Sequence, residues 1–209
     1  LTKNPAMLLD EGYVPLLKRL NVLASDHPRV DFFLKNGFSP LRVECSLAFS
    51  NDDSRLLLDP SAPSVANRLE AIRLLRQQGV PVVLRIDPLF PRDPLPDDKT
   101  MSKFGLSDVQ PMTDLEELIQ FAKDVGVLHI VYSIAKITRP RFGEIAPEMS
   151  KMKQVYEHLA CGQPLTFRGG SWRLPQEVAE QFVDSPFLDL CKQYEIEAKV
   201  CKKNLISTP

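Results

Sequence analysis

Residues 64–86, SVANRLEAIRLLRQQGVPVVLRI, carry a complete helix-turn-strand signal. Val65, Leu69, Ile72 and Leu75 recur at three- and four-residue steps, Ser64 stands where an N-cap belongs, and Gly79 stands where a left-handed residue ends a helix. Residues 80–86 follow at once as a continuous β-branched run, the character of a strand buried on both faces. Upstream, VECSLAF (43–49) reads as a second strand, so 43–86 predicts a βαβ unit.

The pattern repeats downstream. In TDLEELIQFAKDVG (113–126), Thr113 is the expected N-cap, Glu116 takes the capping-box position, and Leu115, Leu118, Ile119 and Ala122 share one face before Gly126. Residues 127–134 then read as a strand. Three strands separated by helices predict an α/β fold with a parallel sheet and right-handed crossovers, either doubly wound or a partial (β/α) barrel. Before the first strand, 5–20 allows a helix interrupted near Gly12 and Pro15. Between 28 and 42 a short helix and a connection are expected, with turn signals at Asn36-Gly37 and Ser39-Pro40. The alternation ends near 139. Pro140, Pro147, Pro164, Pro175 and Pro186 divide the rest into helices near 148–160, 175–183 and 186–194 and a last strand at 196–201. The expected division is therefore an alternating α/β part, 1–139, and a mainly helical C-terminal extension, 140–209, expected to serve substrate or partner binding.

The chain has 209 residues, enough for one sizeable core, and its 44% hydrophobic and 25% charged residues are ordinary for a globular protein. No apolar run is long enough to cross a bilayer, and no leader pattern opens the chain, so a cytoplasmic location is expected. A formal charge of −1 gives no bulk attraction to nucleic acid and leaves a local basic patch open. Cys45, Cys161, Cys191 and Cys201 are scattered without a CxxC pair or zinc-ligand spacing, which fits a reducing compartment and free thiols. The first residue is Leu1, and LTKNP (1–5) reads as the end of a strand running into a helix. The expectation is a fragment whose open sheet edge invites pairing in a dimer.

In parallel α/β architectures the ligand face lies at the carboxyl ends of the strands. The segment DPLFPRDPLPDDKTMSKFGLSDVQPMT (87–113) far exceeds the usual roughly two to six residues of a βα connection, and its prolines give it a fixed shape, so it is expected to line or cover a site. Arg85 and Asp87 point to one side of their strand, and Asp87 is either the ion partner of Arg85 or a ligand contact. Glu44 and Ser46 share a face, with Cys45 opposite. Ser133 and Lys136 close the third strand, so polar groups stand at several strand ends. His129 reads as a satisfied core residue. FRGGSWR (167–173) sets Arg168, Arg173 and the single Trp172 about a Gly-Gly turn, either an anion-binding turn or one pinned by its tryptophan.

The order LTKNP (1–5), ECSLAFS (44–50) and LLDPSAPSVANRLEAIRLLRQQGVPVVLRIDPLFP (57–91) resembles the radical S-adenosylmethionine (SAM) proteins of the spore photoproduct lyase and DNA repair photolyase-like group. The match covers roughly 1–137 and is most specific over 43–91. It implies the later part of a partial, TIM-like (β/α) barrel, and a parent enzyme in which a [4Fe-4S] cluster on a CxxxCxxC loop cleaves SAM to a 5′-deoxyadenosyl radical. No CxxxCxxC occurs in this chain, so the resemblance implies a segment that cannot hold the cluster and is inactive alone. Position by position, Lys3 matches the family lysine that reaches SAM and Ser46 the strand serine. Arg85, Ser133 and Lys136 are further candidates for SAM, and Asp87, Arg168, Trp172 and Arg173 for substrate. Two other readings stand beside this one: a non-catalytic α/β binding or scaffolding domain, and a metal-independent barrel enzyme using Asp87 and Lys136 as acid and base.

Overall fold

A computed structural model describes residues 1–35, 41–91, 103–104, 110–138 and 147–201. The expected turns at 36–40 and most of the proline-rich segment lie outside the described residues, as does the expected boundary at 139/140.

The central layer is a parallel sheet of β1 (Val43–Ser46), β2 (Val82–Leu89), β3 (Ile130–Ile134) and β7 (Ala198–Val200), in the order β1-β2-β3-β7. Strand order follows chain order, so the described sheet lacks the reversal that defines a doubly wound arrangement. Thr2 extends it by one parallel bridge to Cys45: its N–H donates to the Glu44 carbonyl at 2.8 Å, and Ser46 N–H donates to the Thr2 carbonyl at 2.9 Å. The last strand, from the expected C-terminal extension, pairs with β3 of this same sheet.

Helices α3 (Asp52–Leu58) and α4 (Val65–Gln77) connect β1 to β2, and α5 (Met112–Asp124) leads into β3. The helix α4 begins as its sequence dictates: Ser64 Oγ accepts from Asn67 N–H at 3.2 Å, and Gly79 just beyond the end has φ 77°. By contrast, α5 starts earlier than its capping box predicts. Pro111 is the N-cap, its carbonyl accepts from Asp114 N–H at 3.0 Å, and Thr113 lies inside the first turn, where its hydroxyl cannot cap. The expected buried face of Leu115, Leu118, Ile119 and Ala122 forms as read. At the N-terminus the chain makes a 3-10 turn, Pro5–Leu9, and then α1 (Tyr13–Ser25), separated by Gly12 at φ 94°; α2 (Val30–Lys35) follows. No residue of α1 is buried.

After β3 a second, antiparallel sheet in the order β4-β6-β5 joins β4 (Ile137–Thr138) to a hairpin of β5 (Thr166–Arg168) and β6 (Ser171–Arg173), with α6 (Pro147–Leu159) between β4 and β5. The hairpin turn is Gly169-Gly170, both at positive φ. The two helices expected at 175–183 and 186–194 join as α7 (Gln176–Ala179), a π segment (Glu180–Asp184) and α8 (Ser185–Gln193). Pro186 has no N–H for the regular helical ladder, which accounts for the widened turn before it.

Register divides the main sheet into two unlike faces. The rows Val43–Val82, Cys45–Leu84–Ile130–Ala198 and Ile86–Tyr132–Val200 point to one side and merge with the buried helix residues Ile72, Leu75, Leu118 and Phe187. The row Ser46–Arg85–Val131–Lys199 points to the other, with Glu44 and Val83. His129 belongs to this second side and is 2% exposed, yet its Nε2 has no hydrogen-bond partner, so it is buried without being satisfied. Burial, with Lys199 and Arg42 nearby, holds its pKa below the ordinary value of 6.5, against the weaker pull of Glu197 and Glu44. The unfolded chain therefore binds the extra proton more readily. Its contribution to stability is present above pH 6.5 and lost as pH falls through and below that value, by at most about 1.4 kcal/mol per pH unit. His129→Gln is expected to flatten the fall in urea stability between neutral and mildly acidic pH; curves of equal slope for both proteins would refute the assignment.

Candidate functional site

A cavity of about 210 Å³ opens at the carboxyl ends of the strands, between the segments that leave them. Ser46 enters from the end of β1, Lys3 from the N-terminal bridge beside it, Asp87 from β2 and Lys136 from the turn after β3. Phe49, Leu58, Phe90 and Met149 provide apolar wall, and Asp59 and Arg68 complete the polar lining. Four residues read from the sequence thus meet here: Lys3, Ser46, Asp87 and Lys136. Lys3 Nζ donates to Asp59 Oδ2 at 2.8 Å with its side chain 59% exposed, a surface pair of small energetic weight. Lys136 is exposed and makes no hydrogen bond or ion pair with other described residues.

Arg68 was not a candidate on sequence, and it is the most unusual residue of the site. It is 3% exposed on the buried side of α4, where its Nη1 donates to the Ser46 carbonyl at 3.1 Å. Its Nε and Nη2 have no partner, and no described carboxylate lies within ion-pair distance. Burial lowers its pKa; Asp59 opposes that shift, Arg55 reinforces it and Asp52 opposes it. A guanidinium buried without a counter-ion costs several kcal/mol, so the fold carries it against a stability penalty. The sequence did hold a signal: 68 falls in the stripe 65, 68, 72, 75, whose other members are apolar.

The cavity wall is clasped by Gln110, which is 0% exposed. Its Nε2 donates to the carbonyls of Ala48 at 2.6 Å and Pro88 at 3.1 Å, and its Oε1 accepts from Phe90 N–H at 2.9 Å. One side chain therefore ties together the segments leaving β1 and β2. No periodicity in the sequence announces it. Nearby, Asn51 caps α3 and donates to Asp114 Oδ2 at 2.5 Å, linking the starts of α3 and α5.

The remaining sequence candidates lie outside this lining. Arg85 Nη2 donates to Asp87 Oδ2 at 2.5 Å, and its Nη1 approaches Glu44 Oε2 at 3.5 Å. The Cys201 Sγ lies 3.1 Å from Nη2. Asp87 is thus both the ion partner of Arg85 and part of the cavity wall. Ser133 is half-buried within β3. Arg168, Trp172 and Arg173 belong to the hairpin of the second sheet, where the Phe167 and Trp172 rings meet at a 53° tilt with 5.1 Å between centroids and Lys153 Nζ sits 5.6 Å from the Trp172 ring.

The residues present do not fit an iron–sulfur cluster. Cys45 and Cys191 are buried on separate elements, Cys161 is exposed, Cys201 stands beside Arg85, and among the described residues no three His, Cys, Asp or Glu side chains converge as metal ligands. Burial pushes the Cys45 thiol up to about 12, which keeps it protonated. No helix of the described residues is long and apolar enough to cross a membrane.

No family model and no curated protein matches the chain. A solved structure with a similar trace is a domain of pyruvate-formate lyase-activating enzyme from Bacteroides vulgatus ATCC 8482, at 11% identity over 94% of this chain and 93% of that one, with a TM-score of 0.41. At that score the likeness carries no argument about function.

Replacing Gln110 with Leu removes its hydrogen bonds and takes their partner from the buried Ala48 carbonyl and Phe90 N–H and from the half-buried Pro88 carbonyl. The expected loss is about 2–4 kcal/mol in urea unfolding, given about 1–3 kcal/mol for each unsatisfied group and partial relaxation; a change under about 0.5 kcal/mol would mean that the clasp does not hold the wall.

Proposed function

We propose that the chain is the later part of a partial (β/α) barrel of radical SAM type, within the spore photoproduct lyase-like group, and that the cavity at its strand ends receives SAM. One observation carries this reading: Lys3 and Ser46, the residues matching SAM-contacting positions of that group, line the same cavity, together with Asp87 and Lys136. The sheet agrees with it. Strand order follows chain order, and one face bears the charged row Glu44–Arg85–Asp87 where a sheet covered by helices on both sides would be apolar. Such a face suits the interior of a barrel mouth.

In that group SAM supplies the 5′-deoxyadenosyl radical when a cluster cleaves it; the sequence has no CxxxCxxC and the described residues hold no convergent ligand set, so the part proposed for this chain is binding and orientation. Ser46 offers a hydroxyl and Lys3 and Lys136 offer cations to a polar ligand, while Phe49 and Phe90 keep water from one side of it.

Equilibrium binding of SAM to the 209-residue protein tests the reading. Lys3→Ala and Ser46→Ala are each expected to weaken binding by roughly tenfold, the worth of one hydrogen bond to a charged group, with the melting temperature unchanged. Equal affinity in wild type and both variants removes these residues from the site, and absence of SAM binding leaves the scaffolding alternative.

A further inference from the structure

We propose that the outward stripe of α1 is a self-association surface, on which a second copy of this chain seats its own α1, antiparallel and across a two-fold axis. The pairing needs no ligand in the strand-end cavity and stands apart from the SAM reading.

Helix α1 turns the weaker of its two apolar stripes inward. Val14 and Leu17 pack against the core, and Asn21 and Ala24 continue that stripe half-buried. The adjacent stripe of Tyr13, Leu16, Leu20 and Leu23 is the more hydrophobic, yet these residues are 48%, 49%, 40% and 59% exposed. A surface helix ordinarily does the reverse, burying its most apolar face and turning polar residues to water. The four side chains leave about 400 Å² open along one side of the helix, as much as the largest apolar patch of an ordinary monomer, which is often an interaction site.

The spacing of the stripe fits a second copy of itself. Its steps of three, four and three residues are the a and d positions of a heptad seam. That series reads the same in both directions. An antiparallel copy related by a two-fold axis therefore sets Leu16 against Leu20 and Tyr13 against Leu23, and sets both pairs again across the axis. The helix dipoles then oppose each other, which is favourable. Two stripes together remove about 800 Å² from water, and with the side chains beside them the total comes to about 1,000 Å², the lower bound of a specific but weak interface. Charge disfavours a bilayer as the occupant: between 10 and 26 the exposed charges are Asp10, Glu11 and Asp26 against Lys18 and Arg19, with no excess of cations for anionic lipid.

Sedimentation velocity of the 209-residue protein between about 1 and 200 μM tests the pairing, and a reversible dimer with a Kd on the order of 10 μM is expected. Leu16→Glu combined with Leu20→Glu sets like charges against each other twice and is expected to raise the Kd by more than about a hundredfold, with the melting temperature unchanged. Leu16→Glu combined with Leu20→Lys sets Glu against Lys twice in an antiparallel pair alone, and is expected to restore association to within about tenfold of wild type. Should the double Glu variant fail to fold, Leu23→Glu at the most exposed position replaces it, with an expected loss of about tenfold. A monomer over the whole range overturns the proposal. So does a dimer that survives the Glu substitutions, which would pair through another surface such as the sheet edge at β1, and so does a Glu-Lys variant that associates no better than the double Glu variant. A monomer that cosediments with vesicles of phosphatidylcholine and phosphatidylglycerol overturns it as well, because the stripe is then a lipid-docking face.

Discussion

The parallel register that sets Ser46 beside Arg85, and Arg85 beside Val131 and Lys199, is the constraint on which the rest of the molecule depends. Side chains alternate along a strand, so one register sorts every residue of four strands at once. Cys45, Leu84, Ile86 and Tyr132 go to the helices and close the core, while Glu44, Arg85 and Asp87 go to the other side and form an ion-paired row. A slip of one residue would turn those charges toward the helices, at several kcal/mol for each charge buried there, a large fraction of a domain's stability. The core and the polar face are therefore consequences of one geometric choice.

Because the strands run parallel, their carboxyl ends gather on one edge, and the segments that leave them have only that edge to share. Thr2 brings Lys3 to the end of β1, and Gln110 ties the departing chains of β1 and β2 to each other. Backbone polar groups near a strand end need partners when buried, and one buried amide here serves two carbonyls and one N–H.

Arg68 is the exception. Every other buried member of its stripe on α4 is apolar, and a hydrophobic residue of similar length would pack there without the penalty of an unpaired charge. Local rules that a fold breaks at such a cost cluster at functional sites. Arg68 lines the strand-end cavity, and its one hydrogen bond there goes from Nη1 to the Ser46 carbonyl.

Local elements were legible in the sequence where a strong period met a strong stop. Helix α4 and its cap at Ser64 form as read, because propensity, spacing and Gly79 agree there. The start of α5 was misread, since a proline already fixed in φ begins the helix ahead of the capping box. Strand β7 was visible as a strand, but its pairing with β3 was not, because a period of two says which residues face together and nothing about the neighbour. The sequence by itself determined an α/β chain with helix faces, turns and a polar residue at each strand end. Tertiary structure alone decided that Lys3, Ser46, Asp87 and Lys136 share one cavity while Arg85 is bound by Glu44 and Asp87. It also decided that Arg68 lines the same cavity with only one of its guanidinium nitrogens hydrogen-bonded. The physical reason is that burial and charge pairing are properties of neighbours in space, and the residues that supply them stand far apart along the chain.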